Sequence, residues 1–210
     1  MNVVFDVGNV LIRWRPELAV AHVFPDPDEA RAYLGRVGFF DWNLRQDGGR
    51  PFAEGLAALE ASHPGESAPL AVYPERFGET IREPIEGTWV LLEALKARGH
   101  RLFAITNFAR ETWPVALRLH PRLACAFEDV VVSGHEGVLK PEAAIYELLL
   151  SRNGLQAGES LFIDDSPANV DGARRVGMEA ELFTTPEALA RALAGRGALG
   201  GHCPSSSRVV

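Results

Sequence analysis

Val3-Val4-Phe5-Asp6-Val7-Gly8-Asn9, residues 3–9, reads as a short buried strand stopped by turn formers. The residue that follows the apolar run is a carboxylate, so the pattern delivers a charged group at the strand's C-terminal edge. The same arrangement recurs three times. Arg101-Leu102-Phe103-Ala104-Ile105 runs into Thr106-Asn107, Asp129-Val130-Val131-Val132 into Ser133-Gly134 with Lys140 beyond, and Ser160-Leu161-Phe162-Ile163 into Asp164-Asp165. Helical stretches separate them: Trp89 to Ala97 ended by Gly99, Pro141 to Leu150 opened by its proline, and Asn169 to Val176 ended by Gly177. Ala180-Glu181-Leu182-Phe183 adds a weaker edge strand. Strands alternating with helices of this length imply right-handed crossovers and an α/β fold, a doubly wound, Rossmann-like parallel sheet covered on both faces.

The stretch from Pro16 to about Arg82 breaks the alternation. It is rich in Ala, Leu, Glu and Arg, and its helical patterns are interrupted at Pro25, Pro27, Gly48-Gly49, Pro51, Pro64-Gly65 and Pro84. It reads as a small helical insert after strand one. The expected organisation is therefore a core of residues 1–13 and 85–194, a helical cap of residues 14–84, and a flexible, Gly- and Ser-rich tail of residues 195–210.

Composition sets the limits on function. The 210 residues are 47% hydrophobic and 23% charged, enough apolar material for one core with an appended subdomain. A formal charge of −7 argues against holding polyanions by bulk electrostatics, so no nucleic-acid partner is expected, although a small anionic substrate is compatible with it. No apolar run reaches membrane-spanning length and the N-terminus has no basic region before an apolar stretch, so the expectation is a soluble, cytoplasmic protein without a membrane partner. Cys125 and Cys203 supply neither a disulfide framework nor a zinc spacing; Cys125 is expected to be buried and unpaired. The histidines have no paired ligand spacing, and His135, after Ser133-Gly134, is the one placed near a cluster.

In an open parallel sheet, ligands bind beyond the carboxyl ends of the strands, where all four polar clusters fall. Asp6, Asp164 and Asp165 offer hard oxygen ligands suited to Mg²⁺, and carboxylates this close would repel one another without a cation. Thr106 and Asn107 can donate hydrogen bonds to an oxyanion, and Lys140 adds a compact positive charge. Any one of these residues alone would serve as a turn or cap residue. Their joint placement after four successive strands points to a metal-assisted site for phosphoryl groups.

Phe5-Asp6-Val7-Gly8-Asn9-Val10-Leu11, Ile105-Thr106-Asn107, Lys140-Pro141 and Phe162-Ile163-Asp164-Asp165-Ser166 with Asn169 resemble, in order, the four motifs of the haloacid dehalogenase-like (HAD) hydrolase superfamily. The segment between the first two resembles the small helical cap of the subfamily that includes sugar-phosphate phosphatases and the haloacid dehalogenases themselves. The first motif most resembles bacterial glucose-1-phosphate phosphatase-like members. The resemblance implies a phosphatase of a small phosphorylated metabolite, a sugar phosphate being one candidate. Asp6 would attack phosphorus to give an aspartyl phosphate, with Mg²⁺ bound by Asp6, the backbone carbonyl of Gly8 and Asp165, and Asp164 as an additional or water-mediated ligand. Thr106 and Asn107 would bind phosphoryl oxygens, Lys140 would neutralise charge around Asp6, and Asn169 would orient the metal shell. A monomer or a homodimer is compatible with all of this.

One position departs from the pattern. Superfamily phosphatases carry a second Asp two residues after the nucleophile as general acid and base, and this chain has Gly8 there. General acid-base catalysis typically contributes about 10²- to 10⁴-fold. Three readings stay open at this point: a phosphatase whose leaving group needs little protonation or finds its proton from water or the cap, a 2-haloacid dehalogenase using Asp6 without metal, and a weakly catalytic binding protein. The Asp164-Asp165 pair opposes an anionic haloacid and weighs against the second. In the cap, the cluster Asp41-Trp42-Asn43 with Arg45 is the candidate for reading the leaving group, Trp42 and Arg45 above all, and Trp14 and Phe108 could line the entrance or belong to the core.

Overall fold

The computed structural model describes residues 1–199. Strands β1 (Asn2–Phe5), β2 (Arg101–Thr106), β3 (Asp129–Val132), β4 (Ser160–Asp164) and β5 (Glu179–Leu182) form one parallel sheet in the order β3-β2-β1-β4-β5. Between β1 and β2 lie α1 (Pro27–Arg36), α2 (Phe39–Asp47), α3 (Phe52–Ser62), α4 (Tyr73–Thr80) and α5 (Glu86–Ala97). Helices α6 (Trp113–Leu119) and α7 (Leu123–Ala126) precede β3, α8 (Ser133–Glu136) and α9 (Ala143–Arg152) precede β4, and α10 (Pro167–Arg175) and α11 (Pro186–Gly195) flank β5.

β1 is the central strand, with Val4 in register with Phe103 on one side and Phe162 on the other. A strand paired on both edges and covered on both faces has no wet position, which is why residues 3–5 are all apolar. Alternation along the strands sorts the side chains. Val3, Phe5, Leu102, Ala104, Leu161 and Ile163 pack with Trp89, Leu92 and Leu95 of α5 and Leu189 and Leu193 of α11. Val4, Phe103, Ile105 and Phe162 pack with Ile145, Tyr146 and Leu149 of α9 and Val170 and Ala173 of α10. The result is the three-layer, doubly wound α/β arrangement expected, with the crevice beside Asp6 at the point where strand order reverses.

The insert leaves and rejoins the sheet through two segments that pair with each other. Arg15 N donates to the Thr80 carbonyl (2.8 Å), Arg13 N to Glu83 (2.9 Å) and Ile85 N to Leu11 (2.8 Å). Within it, α2 to α4 close on an aromatic nucleus. Phe39 lies 5.3 Å from Tyr73 and 5.9 Å from Trp42, centroid to centroid, and Trp42 lies 5.8 Å from Phe52. This nucleus is continuous with the core layer, because Phe77 of α4 meets Phe108 at 5.3 Å and Phe108 meets Trp113 at 5.2 Å. The insert is thus seated on the sheet domain by apolar packing as well as by its two linkers.

Three local expectations are revised. Pro141 does not open a helix: it follows a cis Lys140–Pro141 bond, Glu142 N donates to the Leu139 carbonyl (2.8 Å), and the resulting turn delays α9 to Ala143. The tail does not begin at residue 195, because α11 runs through Gly195 and Ala198 is buried, with its carbonyl 3.1 Å from His100 Nε2. The rest of that expectation, residues 200–210, lies outside the described residues. Cys125 is exposed rather than buried, since Leu123 and Ala126 supply the apolar side of the short helix α7.

Phe39 is fully buried and stands among Trp14, Phe40, Trp42 and Tyr73. Phe39→Ala is expected to lower unfolding stability by about 3–5 kcal/mol, measured by urea denaturation. A loss well under about 1 kcal/mol would mean that the aromatic nucleus collapses to refill the space.

Candidate active site

The turn after β1 is built by Asn9. Its backbone takes the left-handed conformation (φ 55°), which Asn tolerates better than most residues, and its side-chain oxygen accepts from Trp14 N at 3.0 Å. The Val7 carbonyl accepts from Leu11 N (2.9 Å) and Ile12 N (3.0 Å). This tight loop leaves Asp6 at the sheet's carboxyl edge, buried, with its Oδ1 accepting from Val7 N at 2.6 Å.

Lys140 reaches the same point from the loop after α8. Its Nζ lies 2.8 Å from Asp6 Oδ1 and 2.7 Å from Asp164 Oδ2, with all three side chains almost wholly out of solvent. Asn107 fixes that loop from β2: its Nδ2 donates to the Lys140 carbonyl (3.0 Å) and its Oδ1 accepts from Lys140 N (2.9 Å). Asp164 is held in turn by Ser166 N (2.8 Å) and by Asn169 Nδ2 at 3.0 and 3.2 Å. The neighbouring Asp165 is exposed, and the Asn9 side chain hydrogen-bonds its carboxylate.

Electrostatics follow from this crowding. Burial pushes the Asp6 carboxyl up to about 7, Lys140 opposes the rise, and Asp164 and Asp165 add to it. Burial, then Asp164, also raises Asp165. Burial works against the Lys140 charge, but Asp164 and Asp6 outweigh it, so the ammonium is held above its ordinary value. Carboxylate oxygens of Asp6, Asp164 and Asp165 lie within 4.8 Å of one another. Three hard oxygen donors against one ammonium leave an excess of negative charge that a divalent cation would relieve, so the donor set fits Mg²⁺.

Beside the cluster is a cavity of about 70 Å³ between sheet domain and insert. The core contributes Val7, Gly8, Ile12, Asn107, Phe108 and Thr112, and the insert and its linkers contribute Trp14, Asn43, Asp47, Phe77 and Ile81. The candidates singled out in the core, Asp6, Gly8, Thr106, Asn107, Lys140, Asp164, Asp165 and Asn169, are gathered at one end of the sheet. Asn107 differs from expectation in detail: its side-chain amide is engaged with the Lys140 backbone on both sides.

Of the insert's candidate cluster, Asn43 lines the cavity, and Trp42 and Arg45 do not. Trp42 is buried in the aromatic nucleus with Nε1 donating to the Gly55 carbonyl at 2.7 Å, and Arg45 is exposed on the other side of α2. Trp14 and Phe108 do line it, whereas His135 is exposed and outside it. The polar groups that α2 presents are Asn43 and Asp47. Asn43 Nδ2 donates to Asp47 Oδ2 at 2.8 Å, and the Asp47 carbonyl accepts from Ser133 Oγ at 2.6 Å. Ser133 Oγ also accepts from Phe108 N at 2.9 Å, so one hydroxyl joins three segments around the cavity. Burial pushes the Asp47 carboxyl up to about 7, against a hydrogen bond from the Ala109 backbone and the field of Lys140. The sequence signal that marks this pair is the i, i+4 spacing of Asn43 and Asp47 on the last turns before Gly48-Gly49.

The chain thus combines a doubly wound sheet, a helical insert after its first strand, and an acidic cluster with one lysine at the sheet's carboxyl edge. A family model for haloacid dehalogenase-like hydrolases matches residues 1–177, and the chain belongs to that family. It is 24% identical to sesquiterpene phosphatase astK of Aspergillus oryzae over 83% of this chain and 85% of that protein. It is 32% identical to a glyceraldehyde 3-phosphate phosphatase of Pyrococcus abyssi over 56% of this chain and 49% of that protein. A HAD family enzyme of Bacteroides thetaiotaomicron, crystallised with magnesium and inorganic phosphate, has the same fold at TM-score 0.63 and 19% identity, covering 88% of this chain and 94% of that one.

Removing the cation from the buried triad tests this arrangement. Lys140→Met leaves Asp6 and Asp164 buried without it and is expected to cost about 3–5 kcal/mol in urea unfolding performed with EDTA. A cost below about 1 kcal/mol would show that water reaches the two carboxylates.

Proposed function

We propose that the chain is a Mg²⁺-dependent phosphatase of a small phosphorylated metabolite, acting through an aspartyl phosphate on Asp6. The observation that carries this reading is the clustering of the Asp6, Asp164 and Asp165 carboxylates, with Lys140 between two of them, at the carboxyl end of the sheet. Asp6, the first strand-end carboxylate in chain order, would be the nucleophile, and Asp6, the Gly8 carbonyl and Asp165 would hold the cation, with Asp164 behind them. When bound, Mg²⁺ supplies positive charge against the phosphoryl oxygens and offsets the mutual repulsion of the carboxylates. Lys140 keeps the Asp6 side chain oriented and neutralises charge as it accumulates during attack. The Thr106 hydroxyl and the main chain of Asn107 are the donors for phosphoryl oxygens, and Asn169 fixes Asp164.

The cavity wall limits the leaving group. Trp14, Phe77, Phe108, Ile12 and Ile81 give it a mostly apolar surface, broken by Asn43, Asp47, Asn107 and Thr112. A sugar phosphate, with C–H faces for the rings and hydroxyls for Asn43 and Asp47, is the specific candidate.

Phosphate release from a panel of small phosphomonoesters is expected with Mg²⁺ and is expected to disappear in EDTA. Asp6→Asn should lower kcat/KM at least about 10³-fold, as loss of a covalent nucleophile does. EDTA-insensitive halide release from 2-haloacids without phosphate release, or full turnover by Asp6→Asn, would overturn the reading.

A further inference from the structure

We propose that Asp47, carried by the insert, exchanges the proton with the ester oxygen and with the attacking water that the residue at position 8 cannot exchange. The inference rests on the phosphatase reading above and adds a catalytic residue to it.

The geometry begins with Gly8. A Cβ built on it would meet no atom within 4 Å, so the space beside the nucleophile's loop is open, and Gly8 itself lines the cavity. Asp47 lines the same cavity from the opposite wall, and it is the single titratable side chain among the residues that do. The other groups with exchangeable protons nearby are committed elsewhere or lie outside. His120 is buried with Nε2 2.6 Å from the Ile81 carbonyl, the Glu111 carboxylate accepts from Phe52 N at 2.9 Å, and His135 is exposed.

Asp47 is also held as a catalytic acid needs to be held. Asn43 Nδ2 fixes one carboxyl oxygen at 2.8 Å, the Ala109 N–H is a second donor to the side chain, and Ser133 Oγ anchors the main chain at 2.6 Å. Its proton affinity, raised by burial and restrained by Lys140, lets the carboxyl both give and take a proton near neutrality. Tyr73 of α4 is the further titratable group close enough for the Asp47 charge to act on it.

The two half-reactions then balance. As an Asp6 oxygen bonds to phosphorus, the P–O ester bond breaks, its electron pair goes to the ester oxygen, and that oxygen takes the Asp47 proton and leaves as the alcohol. Water next attacks phosphorus and gives a proton to the Asp47 carboxylate. The bond from phosphorus to Asp6 breaks, its electron pair returns to the Asp6 carboxylate, and inorganic phosphate departs with Asp47 protonated again.

The test is the dependence of kcat/KM on the leaving group, because this parameter reports the steps up to alcohol release. The wild type and Asp47→Asn are compared on 4-nitrophenyl phosphate, whose phenolate leaves without help, and on alkyl phosphates, whose alkoxides do not. Asp47→Asn is expected to lose about 10²- to 10⁴-fold on the alkyl esters and much less on the aryl ester. It is also expected to accumulate phosphorylated Asp6 in an acid quench, since the second step lacks its base. Asp47→Glu, which keeps the carboxyl, should restore part of the alkyl-ester rate, and it serves in place of Asp47→Asn if that variant does not fold, by a lower loss on aryl than on alkyl esters. Equal losses on both ester classes, or none, would overturn the role of Asp47 while leaving the phosphatase reading intact. A wild type that releases no phosphate from either class would overturn both.

Discussion

The Lys140 ammonium, buried between Asp6 and Asp164, constrains the rest of the structure. The three charges come from different parts of the chain: Asp6 from β1, Asp164 from β4, and Lys140 from the loop beyond β3. Burying any one of them alone would cost several kcal/mol, so the fold is tolerable only when all three arrive together. Parallel pairing of β1 with β4 puts Phe5 beside Ile163, and therefore Asp6 beside Asp164. Lys140 cannot rely on a strand for its position, and two hydrogen bonds with Asn107, one donated and one accepted by its amide, take that part. Residues that a catalytic reading would treat as substrate ligands thus have a prior task in holding the ion cluster.

That cluster is poised rather than neutral. Asp165 adds a third carboxylate that is paired with no cation among the described residues, and the upward pressure on the proton affinities of Asp6 and Asp165 comes in part from Asp164. A divalent cation and a dianionic phosphoryl group are complementary additions to such a site, because each compensates charge that the other brings. The insert closes the far wall through contacts of a different kind: ring packing of Phe77 on Phe108, the Ser133 hydroxyl under Asp47, and the Glu111 carboxylate on Phe52 N.

The core of the site was legible because its signals are local. Each strand is four to six residues of mostly apolar sequence, and the polar residue that ends it must fall at the sheet's edge. Asp6, Thr106 and Asp164 could therefore be placed without knowing how the helices pack. The insert was not legible in the same way. Trp42, Asn43, Arg45 and Asp47 share one helix, and which of them faces the cavity depends on the rotation of α2 about its axis. The aromatic nucleus decides that rotation by drawing Trp42 inward, which turns Asn43 and Asp47 to the cavity and Arg45 to solvent. The start of α9 was misplaced for a related reason: the turn from Leu139 to Glu142 serves the placement of Lys140, and the helix begins where that turn permits. Ala198 belongs to the core layer although its surroundings in sequence are Gly-rich, because the contacts that hold it come from His100 and Leu193, distant or earlier in the chain.

Placing the proton-exchanging group on the insert has a physical consequence that an acid two residues after the nucleophile would not have. At position 8 a carboxyl would add a fourth negative group beside three that already repel one another, and it would stay in place whatever the insert did. On α2 it is separated from that cluster by the cavity, and it travels with Asn43 and Phe77, the residues that enclose the leaving group. If Asp47 is the acid, a displacement of the insert would withdraw it together with the apolar wall, and proton transfer would then require the leaving group to be covered and bulk water excluded. Phosphoryl binding by the core and protonation by the insert then become separate requirements, and a ligand that satisfies the first without filling the cavity gains little from the second. Selection of the leaving group and its release would depend on the same helix.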